Sequence, residues 1–362
     1  MDMKGFTHNR KVNLDCLKAL MALMIVHCHS TLQFPEGTLP IHDFTVNLYV
    51  LILVPCFCFI SGYFSAYTSR RFQTMKILAK DISRKFQQYV VPAIVFTLIP
   101  LFSDGIGLLS RLQTAFYFLP SLFLIIVCYR VLNVAVCKRT SLFQTSFWVF
   151  YGFSTTILMY LVHDLQIDGY FHWRQALHHN LFFIFGVVIG INQSFFASKR
   201  LRVWSMILSL FFYVVMFIVY NYYSDVLPNV IVKLLQRIVL PLVGIVMFVS
   251  CFICLFNRLT IDSFVGKMGL YIGQRSLALY VLQNLAFMIV FSLIDVNASS
   301  YPELLAVFTF LLSTCLVLII HDMLCALKYI EKYVFGRTKP LLSFREIFFK
   351  AKSPQSLVAS QR

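Results

Sequence analysis

Residues 15–30 read DCLKALMALMIVHCHS, an apolar run that with its flanks is long enough to span a membrane and that carries one lysine and two histidines. Eleven positions separate Lys18 from His29. At about 100° per residue they return to within about 20° of one azimuth, roughly 16 Å apart along the axis. An ionisable group inside a bilayer costs roughly 2.5–3.5 kcal/mol or more, so two on one stripe need a reason. His27 lies about 200° round the helix from His29 and cannot share its surroundings; it reads as the structural histidine of the pair.

The rest of the chain has the same apolar character. Of 362 residues, 59% are hydrophobic, 16% aromatic and only 13% charged, against about a quarter charged in soluble domains. The fold class is all-α: a polytopic membrane protein of about ten transmembrane helices with both termini cytoplasmic. Apolar runs of spanning length fall at 13–34, 45–66, 87–103, 113–136, 144–163, 180–196, 203–222, 229–256, 277–296 and 303–326. The expected organisation is a cytoplasmic N-terminus over 1–12, one membrane domain over 13–326 and a basic cytoplasmic tail over 327–362 that hugs the membrane lipids.

A net charge of +16 would suit nucleic acid if it formed a solvated patch, but the basic residues sit in short segments between apolar runs, so no nucleic-acid partner is expected. Charge here encodes orientation. With the N-terminus inside, most of the 31 lysines and arginines fall in the inner loops and tail, whereas the opposite loops hold Arg111 and Arg174 beside acidic residues such as Asp43, Asp164, Asp225 and Glu303. This is the positive-inside pattern, and it needs an even number of spans. The first run is no cleavable signal, because Lys18 and His29 interrupt it. All ten cysteines fall in spans or at their inner ends, so no structural disulfide is expected. Cys56-Phe57-Cys58 and Cys251-Phe252-Ile253-Cys254 lack a neighbouring histidine or carboxylate and read as packing rather than a metal site.

Several constellations carry chemistry. A histidine in a dry site can act as a general base toward a hydroxyl, with a cation three turns away neutralising phosphate; equally, Lys18 can snorkel to the interface while His29 bonds a backbone carbonyl. Helix two ends in PCFCFISGYF (55–64), where Pro55 breaks the ladder and Ser61, Gly62 and Tyr63 offer small or hydrogen-bonding groups. The segment RKFQQYVVP (84–92) sets Arg84 and Tyr89 at the inner surface, either to bind an anion or to anchor the helix. YFLPSLFL (117–124) is a second proline break, and IGQRSLALYVLQ (272–283) puts Arg275 at a helix start where a phosphate is welcome. In the outer half, Arg174 and His178 belong to an aromatic, polar connection, and Lys233 and Arg237 lie at i, i+4; these can face a sugar or an acidic acceptor, or belong to the interfacial belt and snorkel.

In this order, with LFFIFGVVIG (181–190), these segments resemble the family 3 membrane acyltransferases, over nearly the whole chain. The resemblance implies transfer of an acyl group, usually acetyl, from cytoplasmic acyl-CoA to a hydroxyl of an envelope or surface glycan, such as a lipid-linked polysaccharide or lipopolysaccharide, at the cell inner membrane. His29 then corresponds to the family's essential histidine, acting as base or as covalent acyl carrier, and Lys18 to its usual arginine. Acetyl-CoA is the implied co-substrate, with Lys18, Arg84 and Arg275 as phosphate ligands and Ser61 and Tyr63 lining the donor channel; no metal is implied. Arg174, His178, Lys233 and Arg237 are the acceptor-side candidates. Two departures stand out. Lys18 keeps the charge but loses the bidentate fork of arginine, and Gln283 occupies a place where many members carry a second histidine. The rival class is a transporter, flippase or polysaccharide polymerase in which Lys18 and His29 line a substrate or proton path; the lack of acidic residues deep in the spans weighs against proton-coupled transport.

Overall fold

Apolar runs with no alternating stretch favour helices, and in the computed structural model every regular element among the described residues is helical. The structure describes residues 3–35, 37–69, 75–98, 118–162, 173–192, 198–223, 226–256, 263–296 and 300–327, with positions 330, 333–335, 344 and 347. In chain order the helices are α1 (Met3–Thr31), α2 (Pro40–Ser69), α3 (Met75–Leu98), α4 (Phe118–Val136), α5 (Ser141–Val162), α6 (Trp173–Ile191) and α7 (Lys199–Tyr223). They continue as α8 (Asn229–Phe256), which is π-helical over Leu235–Val239, then α9 (Phe264–Gln274), α10 (Ser276–Leu293) and α11 (Pro302–Ala326).

Each expected apolar run falls on one of these helices, but among the described residues only 6, namely α2, α4, α7, α8, α10 and α11, are long and apolar enough to cross a membrane. The other four carry the reason in their residues. Asp15 and Lys18 interrupt α1; Lys76, Lys80, Asp81, Arg84 and Lys85 make the first half of α3 polar; α5 is diluted by Gln144, Thr145, Ser154, Thr155 and Thr156; and the apolar part of α6 is confined to Gln175–Ile191. The N-terminal segment expected over 1–12 is helical from Met3 onward and continuous with α1. Most of the expected tail lies outside the described residues. The short helix α9 falls where an inner loop was expected.

The chain divides into two compact units, 1–43 with 255–333 and 337–362, and 44–254 with 334–336. In the first, α1 packs on α9, α10 and α11, and α10 packs on α11. Glycines in α9 make the first contact possible: a Cβ on Gly269 would collide with Cys16 Sγ, and one on Gly273 with the Asp15 carbonyl. Cys16 also donates its thiol to the Gly266 carbonyl at 3.8 Å. Small residues one turn apart let two helix backbones touch. At the other end of α1, Phe34, Leu39 and Ala306 form an apolar cluster with Phe291, Val296 and Leu305 around them.

In the second unit α5 packs on α6, and α4 on both α3 and α6. Tyr129, Trp148 and Phe183 meet with ring centroids 4.7 and 5.4 Å apart, and Asn180 donates to Thr155 Oγ1 at 2.8 Å. The helix α2 rides directly on α6, since a Cβ on Gly62 would strike the Phe183 carbonyl and one on Gly186 the Phe59 carbonyl. Buried Arg130 lies 3.4 Å from Asp81 Oδ2 and donates to Thr68 Oγ1 at 2.8 Å, so the charge that interrupts α4 is matched from α2 and α3. Conversely, α7 exposes Trp204, Leu208, Phe211, Phe212 and Tyr222, an apolar surface that suits lipid rather than water.

Substitution Gly186→Leu is expected to destabilise by about 1–3 kcal/mol or more, because the obstructing atom is backbone and cannot give way. Thermal unfolding of the detergent-solubilised protein, followed by size-exclusion fluorescence, checks this; Leu208→Ala on the lipid-facing helix should leave the midpoint in place.

Candidate active site

Helix α1 holds the two residues on which the acyl-transfer reading turns. His29 is partly accessible, and among the described residues its ring makes no hydrogen bond; its backbone carbonyl accepts from Gln33 Nε2 at 3.4 Å. Lys18, three turns earlier, places Nζ 3.1 Å from Asp15 Oδ1, with each side chain about a quarter exposed (26% and 25%). Asp15 is itself fixed by the close approach of Gly273 to its backbone. An ammonium held this way is presented at a defined place, and an incoming phosphate would share it with Asp15 rather than meet an unmatched charge.

His27 has a different environment. Its Nε2 lies 2.6 Å from His42 Nδ1, and its ring packs edge-on to Phe310 with centroids 5.5 Å apart. On its other side, His42 Nε2 lies 3.2 Å from the Glu303 carbonyl and 3.3 Å from Glu303 Oε2. Both of those oxygens accept, so His42 carries its proton on Nε2, and its Nδ1 accepts from the Nε2–H of His27. Glu303 Oε1 accepts from the Ile41 backbone amide at 2.8 Å, so the carboxylate also caps the start of α2, where an acid is favoured. His27 is therefore the fixed histidine of the pair and His29 the one whose ring is unspent.

A second polar cluster lies at the other end of α11, about 28 Å from Glu303 by helical rise. Asp322 accepts from Tyr271 OH at 2.6 Å and Arg275 Nε at 2.8 Å, and His321 Nδ1 lies 3.1 Å away. Arg275, only 3% exposed, donates to the Tyr271 carbonyl at 3.2 Å and stacks its guanidinium 3.7 Å from that ring's centroid. Burial and the bond to Asp322 push the Tyr271 phenol up from its ordinary value. The residue expected as a phosphate ligand at a helix start is thus engaged by a carboxylate, an aromatic face and a carbonyl.

The remaining candidates fall in the second unit. Arg84 on α3 is exposed. Ser61 is partly accessible and Tyr63 buried, flanking the Gly62 contact with α6. His178 stacks on His179 with centroids 5.2 Å apart and meets Phe182 edge-on. The side chain of Arg174 lies outside the described residues. Lys233 is exposed, and Arg237 is part-buried within the π-helical turn of α8. In the first unit, Gln283 is buried and its Oε1 accepts no hydrogen bond among the described residues. No disulfide joins two cysteines among the described residues, and no group of three His, Cys, Asp or Glu among the described residues could hold a metal ion.

Comparison with known families gives one result: a family model described as an acyltransferase domain matches residues 11–323. The chain belongs to acyltransferase family 3. No curated protein and no solved structure matched. The matched region of this acyltransferase includes both polar clusters of the first unit, Lys18, His29 and every candidate in the second. It leaves out residues 1–10 and everything beyond 323, including the last turn of α11.

Sequence reasoning missed His42, Glu303, Tyr271, His321 and Asp322. Tyr271 sits four residues before Arg275, a spacing that places two side chains on one helix face, and this was the one local signal available. The pairings His27 with His42 and Arg275 with Asp322 join segments far apart in the chain.

Replacing Asp322 by Ala leaves the buried Arg275 without its carboxylate and should cost about 3 kcal/mol of stability. Pairing that change with Arg275→Met should recover part of the loss, measured as the thermal midpoint of the purified acyltransferase; equal midpoints for Asp322→Ala and the wild type would refute the ion pair's role.

Proposed function

We propose that this family 3 acyltransferase is a multi-pass enzyme of the cell inner membrane that transfers acetyl from acetyl-CoA to a hydroxyl of an envelope or surface glycan, with both termini in the cytoplasm. One observation carries the reading. Of the histidines on α1, His27 is committed to the chain through His42 to Glu303, whereas the His29 ring is partly accessible and makes no hydrogen bond among the described residues. A general base has to keep its lone pair for the substrate.

In this reading His29 takes the proton of the acceptor hydroxyl as the oxygen attacks the thioester carbonyl, or receives the acyl group itself before passing it on; an unengaged imidazole serves either route. Lys18, roughly 16 Å away along the helix, meets the anionic part of the donor. That spacing is of the length of the arm joining the thioester of CoA to its phosphates. Arg84, exposed on α3, is a further cation suited to a phosphate, and Ser61 and Tyr63 on α2 are proposed as hydrogen-bonding groups for the donor. Arg275, engaged by Asp322 and Tyr271, supports the site by positioning α9 against α1. Arg174, His178, Lys233 and Arg237 are the groups proposed to meet the glycan. The positive-inside distribution of lysine and arginine supports the orientation, placing the Lys18 end of α1 toward the cytoplasm, where acyl-CoA is made.

The test is the acetyl-ester content of envelope glycans in cells that express wild type, His29→Ala, Lys18→Ala and Lys18→Arg at matched membrane levels. His29→Ala should lose about 10²–10⁴ of the rate, so that its ester falls to background. Lys18→Ala should weaken donor use, raising the KM for acetyl-CoA, and Lys18→Arg should restore it. Equal ester content in wild type and His29→Ala would sink the assignment of His29.

A further inference from the structure

At the C-terminal end of α11 a thiol, an imidazole and a carboxylate stand in series. Cys325 Sγ lies 3.3 Å from His321 Nε2, and His321 Nδ1 lies 3.1 Å from Asp322 Oδ1. The proton positions follow from the partners. Asp322 is held by Arg275 Nε at 2.8 Å on Oδ1 and by Tyr271 OH at 2.6 Å on Oδ2, so it is the charged, accepting member. His321 Nδ1–H must donate to it, which leaves the Nε2 lone pair for the thiol. The ring of His321 is fully buried and cannot turn to water, while Cys325, one turn further along, is partly accessible. A nucleophile within reach of a base that a third group orients is the arrangement of covalent acyl transfer.

Among the described residues no other cysteine contacts a histidine that a carboxylate holds. Cys16 and Cys137 spend their thiols on the carbonyls of Gly266 and Val134, and Cys56 and Cys58 are wholly buried. The helix end also favours a cation, because the C-terminal turn of a helix carries a partial negative charge.

We propose that Cys325, with His321 and Asp322, is an acyl-accepting site that takes an acyl group from a thioester donor onto the protein's own thiol. The proposal rests on the acyl-CoA reading above. The Cys325 S–H proton passes to His321 Nε2 as Sγ attacks the donor's carbonyl carbon. The new S–C bond forms, the donor's C–S bond breaks, and the departing thiolate takes the proton back from His321 Nε2. One thioester is exchanged for another, so no oxidant or further energy source is needed. The S-acyl-cysteine keeps the group-transfer potential of the donor, and the acyl group can leave again to a hydroxyl or a thiol whose proton His321 accepts and returns to Cys325. Asp322 is a positioning residue here, as are Arg275 and Tyr271 behind it.

The experiment incubates the purified full-length protein with radiolabelled acetyl-CoA and no acceptor, quenches in acid, and measures protein-bound label before and after neutral hydroxylamine, with the labelled peptide mapped by mass spectrometry. Wild type is expected to carry hydroxylamine-labile label on the peptide containing Cys325. Cys325→Ala should lose it; Cys325→Ser should lose the hydroxylamine-labile form; His321→Gln should slow labelling at least tenfold and flatten its pH dependence at matched folded protein. His29→Ala should retain the label while losing glycan ester, which separates this site from the proposed function. Absence of label on wild type overturns the site however the glycan assay reads, and so does labile label that persists in Cys325→Ala. Label on Cys325 with no glycan ester in any strain would uphold the site and overturn the glycan reading alone.

Discussion

A carboxylate near the end of a membrane helix has to be matched by donors, and Asp322 is matched by three side chains from two segments: Tyr271 and Arg275 beside α9, and His321 on its own helix. Much of the first unit depends on this arrangement. Without Asp322, Arg275 would be a buried charge at the junction of α9 and α10, and the cost of such a charge exceeds that of most single contacts. With it, the junction is fixed, α9 is held flat, and its glycines can meet Asp15 and Cys16 of α1 at backbone distance. The ion pair at one end of α11 therefore determines where the lysine of α1 is presented.

The two ends of α11 solve the same electrostatic problem in different ways. At the Asp322 end a permanent ion pair is closed by an aromatic face and a phenol. At the Glu303 end the carboxylate faces a histidine, which faces another histidine, so the acid is matched by imidazoles in series rather than by a permanent cation. Glu303 also accepts the amide of Ile41, so whatever proton arrangement His42 adopts is tied to the start of α2. Against this background the lack of hydrogen bonds on the His29 ring is the informative departure. A membrane interior penalises unmatched polar groups; among the described residues the rings of His27, His42 and His321 have polar partners, whereas the His29 ring has none and His179 Nδ1 is buried without one.

Much of this was legible in the sequence. The apolar runs announced helices because a twenty-residue window of such residues admits little else in a bilayer, and the Lys18 to His29 stripe was visible because both residues lie on one helix. The distinction between His27 and His29 followed from azimuth alone. What stayed hidden has a common cause: it lies in pairings across long separations. Nothing near Arg275 announced that its partner would be Asp322 instead of a phosphate, and nothing near His27 pointed to His42. Among the described residues, fewer helices than the ten expected runs are long and apolar enough to cross a membrane, where ionisable or hydroxyl residues dilute a run, as in α3 and α5. The helix α9 lies between two of the apolar runs, where an inner loop was expected, yet the spacing of Gly266, Gly269 and Gly273 keeps one helix face free of side chains, which is what a close crossing requires.

The division of labour among the cations follows from the same packing. Arg130 is surrounded by Asp81, Thr68 and the Ser65 carbonyl, and Arg275 by Asp322 and Tyr271, so both guanidiniums are consumed in holding helices together. Their planar fork is suited to that work, since several directed donors fix an orientation. Lys18 is a point charge on a longer, more flexible stem, 3.1 Å from the partly exposed carboxylate of Asp15, and an ion pair of that exposure contributes little to stability. A ligand anion can compete with Asp15 for such an ammonium at small cost, whereas displacing Asp322 from Arg275 would expose a buried charge. The resemblance sets Lys18 where an arginine is usual, and the exchange keeps the charge while giving up the directed fork that Arg130 and Arg275 use.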